Sequence, residues 1–301
     1  MIFGAQFPQY NIDWPDIVKL VQTVETGRWQ SMWLSDHFLP PGVGGHGTAL
    51  EVWTLLAGLA MKTERLRLGI LATGNTYRNP AHLAKIATTL NHMSGGRVEL
   101  GLGAAWYEQE HSAYGWDFPS LKERSDRLEE ATQLISMLFH KDDEELVNFS
   151  GNYYQLKGAP MSPNSSQDGP IPILIGGNGE KRTLRTVARY ADASNLDFWR
   201  PGGVDVYKQK QEVIDRHCED CGRDPAEVRR TVCIPTRIFD TEEAFKKSEG
   251  GKPWYNWGTI NMIQDYVGEY IEAGADEFMM CGIGNNPHVW ERLDAEVLSV
   301  F

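Results

Sequence analysis

The chain has 301 residues, 41% of them hydrophobic, ample for one sizeable core and enough for one α/β domain or two smaller ones. Its 29 Lys and Arg against 41 Asp and Glu leave a net charge of −12, which disfavours nucleic acid and anionic membrane as partners. No apolar run is long enough for a transmembrane helix and the N-terminus lacks a basic n-region, so a cytoplasmic protein is expected.

In chain order, Ile2–Pro8 is a predicted strand, and Ile17, Val18, Leu20, Val21 and Val24 give Pro15–Thr26 a helical apolar pattern. Met32–Ser35 is a short strand running into Asp36-His37-Phe38, and a Gly/Pro-rich loop follows from Pro40 to Gly47. A helix over Ala49–Met61 leads to alternating Leu66, Leu68 and Ile70, the period of a strand. After the polar turn Thr73-Gly74-Asn75, Asn79 caps a helix that has Pro80 at its first position and Gly95-Gly96 at its end. Val98–Gly103 is the next strand, so this stretch is one parallel βαβ unit.

Leu121–Phe139 is a long amphipathic helix with Glu129 and Glu130 on its exposed side. Residues 141–170 form the one irregular insertion, with a hairpin around Phe149–Tyr154. The alternation then resumes: strand Pro172–Gly177, helix Glu180–Tyr190, strand Ala193–Leu196, helix Val204–Cys221. Asp224-Pro225-Ala226-Glu227 is a capping box, Thr231–Phe239 a strand, Glu242–Lys247 and Ile260–Glu272 helices, Glu277–Cys281 a strand and Pro287–Leu298 a closing helix. Eight strands, each followed by a helix, with no composition shift, predict a (β/α)8 barrel filling residues 1–301 as one domain. A doubly wound sheet would carry a GxGxxG turn after its first strand, and none is present.

A barrel of this kind puts its site at the carboxyl ends of the strands. Those ends collect Gln6 and Gln9, Asp36-His37, Thr73-Gly74-Asn75, Gly103 to Glu108, Gly176-Gly177-Asn178-Gly179, Asn195 and Asp197. Asp36-His37 supplies an acceptor and a group that titrates near neutrality, suited to proton transfer, though a helix-start aspartate before a packed histidine reads the same way. Glu108 lies among Trp106, Tyr107 and His111, aromatic company that would favour its acid form; an ordinary first-turn glutamate is the alternative. The turn from Gly176 through Asn178 to Gly179, followed by Lys181, Arg182 and Arg185, has the make-up of an anion cradle. Trp53, Trp106, Trp199, Trp254 and Trp257 could line a flat-ring pocket. No metal is expected: HExxH is absent, and Cys218–Cys221 is a single CxxC without a second.

The stretches Trp33–Phe38 (WLSDHF), Thr73–Gly115 and Pro172–Asp192 resemble the bacterial luciferase-like superfamily, in its branch of oxidoreductases that use the deazaflavin coenzyme F420. That resemblance implies a (β/α)8 barrel with the ring at the strand ends, a small-molecule substrate and a homodimer. It implies that Asp36 contacts the deazaflavin beside His37, and that His37 or Glu108 handles a proton. Thr73, Gly74 and Asn75 would lie under the ring, with a non-prolyl cis peptide at or next to Ala72-Thr73. Gly176, Gly177 and Gly179 would hold the phosphate, with Gly103, Trp106, Asn178 and Lys181 completing the cofactor site. Hydride transfer between the deazaflavin C5 and an organic substrate is the expected activity. The alternatives are an FMN-dependent monooxygenase and a flavin-binding protein without turnover. No segment matches the phosphate-binding basic residues of the branch's sugar-phosphate dehydrogenases, and Phe198–Gly202 and Gly250–Gly258 look specific to this chain.

Overall fold

Eight parallel strands close on themselves among the described residues of the computed structural model, which are 1–42, 46–142, 144–163, 169–197, 202–248 and 255–301. In chain order the elements are β1 (Ile2–Gln6), α1 (Trp14–Thr26), β2 (Ser31–Leu34), α2 (Val52–Ala60), β3 (Arg67–Ile70), β4 (Thr73–Gly74) and α3 (Pro80–Ser94). Then come β5 (Val98–Gly103), α4 (Glu108–Tyr114), α5 (Leu121–His140), the hairpin β6 (Val147–Ser150) and β7 (Gln155–Ala159), β8 (Ile173–Gly176), α6 (Thr183–Tyr190) and β9 (Ala193–Asp197). The chain finishes with α7 (Gly203–Cys221), β10 (Arg229–Ile238), α8 (Glu242–Lys247), β11 (Asn256–Gly258), α9 (Ile260–Glu272), β12 (Glu277–Cys281) and α10 (Pro287–Arg292). The barrel runs β1-β2-β3-β5-β8-β9-β10-β12 and returns to β1, the expected (β/α)8 topology.

The helices bury the stripes their sequences announce. In α1 these are Ile17, Leu20, Val21 and Val24; α3 starts at Asn79, whose side chain accepts from Ala81 N–H (2.9 Å), and stops at Gly95 with φ +72°. Four differences from the sequence reading have local causes. Helix α6 begins at Thr183 rather than Glu180, because residues 179–182 form a wider turn closed by Leu184 N–H on the Gly179 carbonyl (3.0 Å). The box at Asp224 caps only a three-residue turn, Pro225–Glu227, since β10 starts at Arg229. Glu129 and Glu130 are half-buried rather than exposed: Glu129 pairs with Arg185 and Arg189, and Glu130 accepts the N–H groups of Asn152, Tyr153 and Tyr154 in the hairpin turn. Helix α4 is an element the sequence reading left out.

At the amino-terminal end the barrel is sealed by charge. Glu99 and Glu277 are buried, and Arg67 and Arg229 each bridge both of them, with contacts of 2.6 Å (Arg67–Glu99) and 2.7 Å (Arg67–Glu277 and Arg229–Glu277). Ser31 Oγ donates to Glu277 (2.5 Å), and Trp33 Nε1 donates to Ser31 (2.8 Å). Above this layer the interior is filled by Trp33, Leu174, Ala193, Cys233, Met279 and Cys281.

Gly101 on β5 faces the third strand so closely that a Cβ would lie 2.0 Å from the Ile70 carbonyl oxygen, a backbone atom that cannot step aside. Gly101→Ala is therefore expected to cost about 3 kcal/mol or more, the scale of overpacking beside fixed backbone. Chemical denaturation of the variant measures it, and an unfolding midpoint equal to wild type would show that the contact relaxes freely.

Candidate active site

Two turns meet at the carboxyl end of the barrel. The first follows β2 and carries Asp36 and His37; the second follows β3 and carries Thr73, Gly74 and Asn75, with a cis bond between Leu71 and Ala72, immediately before the predicted Ala72-Thr73 peptide. Gly74 N–H donates to Asp36 Oδ2 (3.0 Å), which ties the turns together. Asp36 is 4% exposed, and Arg78 grips both its oxygens at 2.6 and 3.1 Å while reaching Glu51 at 2.8 Å. Burial is the largest influence on the Asp36 carboxyl and raises it above the usual range, with Arg78 and the Gly74 N–H pulling the other way. Both its oxygens thus meet protein donors, and the bond from Gly74 N–H fixes the turn there.

His37 has a different environment. Its Nδ1 lies 2.8 Å from Glu110 Oε1, its ring is edge-on to Trp106 and Tyr107, and Nε2 has no partner among the described residues. A carboxylate can only accept, so Nδ1 carries the proton and Nε2 of the neutral ring presents a lone pair. Glu110 is fully buried yet saturated: it also accepts from Phe38 N–H (2.8 Å), Leu39 N–H (3.3 Å) and the Tyr77 hydroxyl. Burial alone would raise its carboxyl, but the bonds from His37 and Tyr77 outweigh that and hold it below the usual range. The same contact and burial push the Tyr77 hydroxyl up.

Sequence reading placed a carboxylate here but chose Glu108 over Glu110. Helix α4 explains the choice: Tyr107, Glu110 and His111 lie at i, i+3 and i+4 and face inward, whereas Glu108 opens the helix with its side chain exposed. Glu108 thus stands exposed at the helix start, one position beyond the buried Tyr107. Tyr77 and Arg78 were also missed, though they stand directly before the predicted cap Asn79. His111 offers nothing to a metal: Nδ1 bonds the Tyr107 carbonyl (2.8 Å) and Nε2 the Thr76 hydroxyl (2.7 Å). Among the described residues no three His, Cys, Asp or Glu converge as metal ligands.

The remaining predicted residues ring this centre. Thr73 and Asn75 are buried; Asn75 Nδ2 donates to Tyr154 OH (3.2 Å), but Thr73 Oγ1 and Asn75 Oδ1 have no partner among the described residues. Gly103 and Gly176 end the neighbouring strands β5 and β8, each placed so that a Cβ would come within 3.4 Å of the Ala72 methyl. Gly177 has φ +133°, Asn178 Nδ2 donates to the Asp197 carbonyl (2.8 Å), and a Cβ on Gly179 would meet Thr183 Oγ1 at 3.0 Å. Arg182 and Arg185 are tied to Asp126 and Glu129 on α5, whereas the exposed Lys181 beside the glycine turn makes no ion pair among the described residues. Trp106 is 64% exposed at the rim, whereas Trp53 is buried. Trp199, Trp254, residues 198–201 and residues 249–254 lie outside the described residues.

A family profile described as luciferase-like monooxygenase matches residues 2–281. The chain belongs to the luciferase-like monooxygenase family. This luciferase-like chain is 32% identical over 224 residues to an F420-dependent glucose-6-phosphate dehydrogenase of Amycolatopsis mediterranei, covering 73% of the chain and 64% of that protein. It is 35% identical over 229 residues to the Kineococcus radiotolerans protein of the same name, covering 74% and 64%. The luciferase-like chain thus spans slightly under two thirds of the length of these relatives. Its fold overlays on an F420-dependent secondary alcohol dehydrogenase bound to an F420–acetone adduct with a TM-score of 0.84 at 17% identity, covering 100% and 99% of the two chains.

Proposed function

We propose that this protein is a coenzyme F420-dependent oxidoreductase that exchanges a hydride with a small organic substrate, with His37 handling the accompanying proton. The observation that carries this is the His37–Glu110 pair: a half-buried imidazole at the barrel mouth, held as one tautomer by a saturated carboxylate and presenting a free Nε2. The orphaned polar atoms Thr73 Oγ1 and Asn75 Oδ1 fit a polar ring edge that completes their bonding. Residues 176–179 and Lys181 would hold a phosphate beyond it. When bound, the deazaflavin supplies hydride exchange at its C5. The chain's own residues orient the ring against Thr73 to Asn75, and His37 Nε2 takes or gives the substrate proton. F420-dependent dehydrogenases among the relatives support the cofactor. The same reading takes residues 1–301 as one domain of a cytoplasmic homodimer; light scattering after gel filtration checks the dimer.

Side-by-side fluorescence titration with oxidised F420 and with FMN tests the cofactor. F420 is expected to bind in preference, and Asn75→Ala to weaken it about tenfold, or 1.4 kcal/mol. Preference for FMN, with Asn75→Ala indifferent, would sink the proposal in favour of reduced-flavin oxygen chemistry.

A further inference from the structure

Strand β10 is ten residues long, whereas its barrel neighbours β9 and β12 have five each. Cys233 pairs with Asp197, the last residue of β9, and Pro235 with Cys281, the last of β12, so Thr236 to Ile238 project beyond both. Arg229, Thr231 and Cys233 turn into the barrel, where they meet Glu99, Asn195 and Gln6. Alternation puts Arg237 on the same face. The register runs from Cys233 to Met279, to Gly4 and to Ser31. The pairing ends at Pro235 with Cys281 and at Gln6 with Trp33, so Arg237 stands past the carboxyl ends of β12 and β1, on the rim from which the Asp36-His37 turn leaves β2.

Arg237 is exposed, and its guanidinium carbon lies 5.1 Å from the Phe239 ring centroid and 5.6 Å from that of Trp257, its partner on β11. Among the described arginines, only Arg237 and Arg216 make neither a hydrogen bond nor an ion pair, and Arg216 is on the outer helix α7. Asp240, the next carboxylate along the chain, is committed to Arg292 at 3.0 Å. A guanidinium steadied by two rings keeps its in-plane N–H groups for a bidentate oxyanion. In a chain of net charge −12, a free cation at the mouth is what an anionic ligand needs against the general field.

We propose that Arg237 anchors an anionic oxygen group, a carboxylate or a phosphate, on the substrate that His37 works on. This rests on reading the barrel mouth as the F420 site. The purified full chain is titrated calorimetrically with inorganic phosphate and, separately, with benzoate, at ionic strength held constant by sodium chloride. Saturable binding of at least one anion at one site per chain is expected, with Kd raised tenfold or more in Arg237→Met and partly restored in Arg237→Lys. Phosphate alone assigns a phosphoryl substrate, benzoate alone a carboxylate. Absence of saturable binding by either, or equal affinity in Arg237→Met, overturns the proposal; a changed unfolding midpoint with unchanged anion affinity would make Arg237 only a clamp between β10 and β11. F420 is titrated on the same samples: failure of F420 binding with anion binding intact strikes the cofactor assignment and leaves the anion site standing.

Discussion

Replacing His37 with alanine is expected to lower kcat by about 10²- to 10⁴-fold, the range for losing a positioned general acid or base. The protein should stay folded, because the imidazole makes one hydrogen bond and is half-buried. Glu110→Gln should move kcat in the same direction, since an amide can present either oxygen or NH2 to Nδ1 and no longer fixes the tautomer. A distinct signature identifies Glu110 as the residue that orients His37. Its folded-state carboxyl lies below the unfolded value of about 4.3. It therefore adds stability that is present above pH 4.3 and is lost as pH falls through the folded value. Glu110→Gln removes that term, so its melting temperature should fall less than that of wild type as pH drops from about 5 toward about 3, the window below the unfolded value. Parallel thermal scans decide it. A steeper fall in the variant, or full kcat in either substitution, would remove the pair from the chemistry.

Glu277→Ala is expected to destabilise the fold by about 3–5 kcal/mol, the cost of breaking a buried ion network from one side. Glu277 accepts from Arg67, Arg229 and Ser31, and the alanine leaves both guanidiniums facing each other with only Glu99 between them. Burial already raises the Glu99 carboxyl, against the pull of Arg229 and Arg67, so it is poorly placed to hold two cations alone. Urea unfolding measures the loss; a change under about 1 kcal/mol would mean that water enters the barrel floor and screens the arginines.

The fold was largely legible because each barrel element carried a local signal. Pro80 after Asn79, Gly95 after Ser94 and the alternation of Leu66, Leu68 and Ile70 each act within a few residues. The site was legible as a set of strand ends and less so as a set of partners. Asp36 and His37 were found as neighbours in sequence, but their surroundings differ because Arg78 faces one and Glu110 the other, and both partners come from other elements. Glu110 was within reach: the helical phase from Tyr107 to His111 separates it from Glu108 once α4 is drawn. Arg182 and Arg185 show the opposite error, since free charge in sequence became paired charge when α5 packed alongside.

The ion layer at the barrel floor also has a kinetic consequence. With that end closed by Glu99, Glu277, Arg67 and Arg229, and the space above filled by Trp33, Leu174 and Met279, nothing passes through the barrel axis. If the barrel mouth holds coenzyme and substrate as proposed, both enter from the carboxyl end, and where one lies beneath the other the deeper ligand is expected to bind first and leave last; product inhibition patterns check that order.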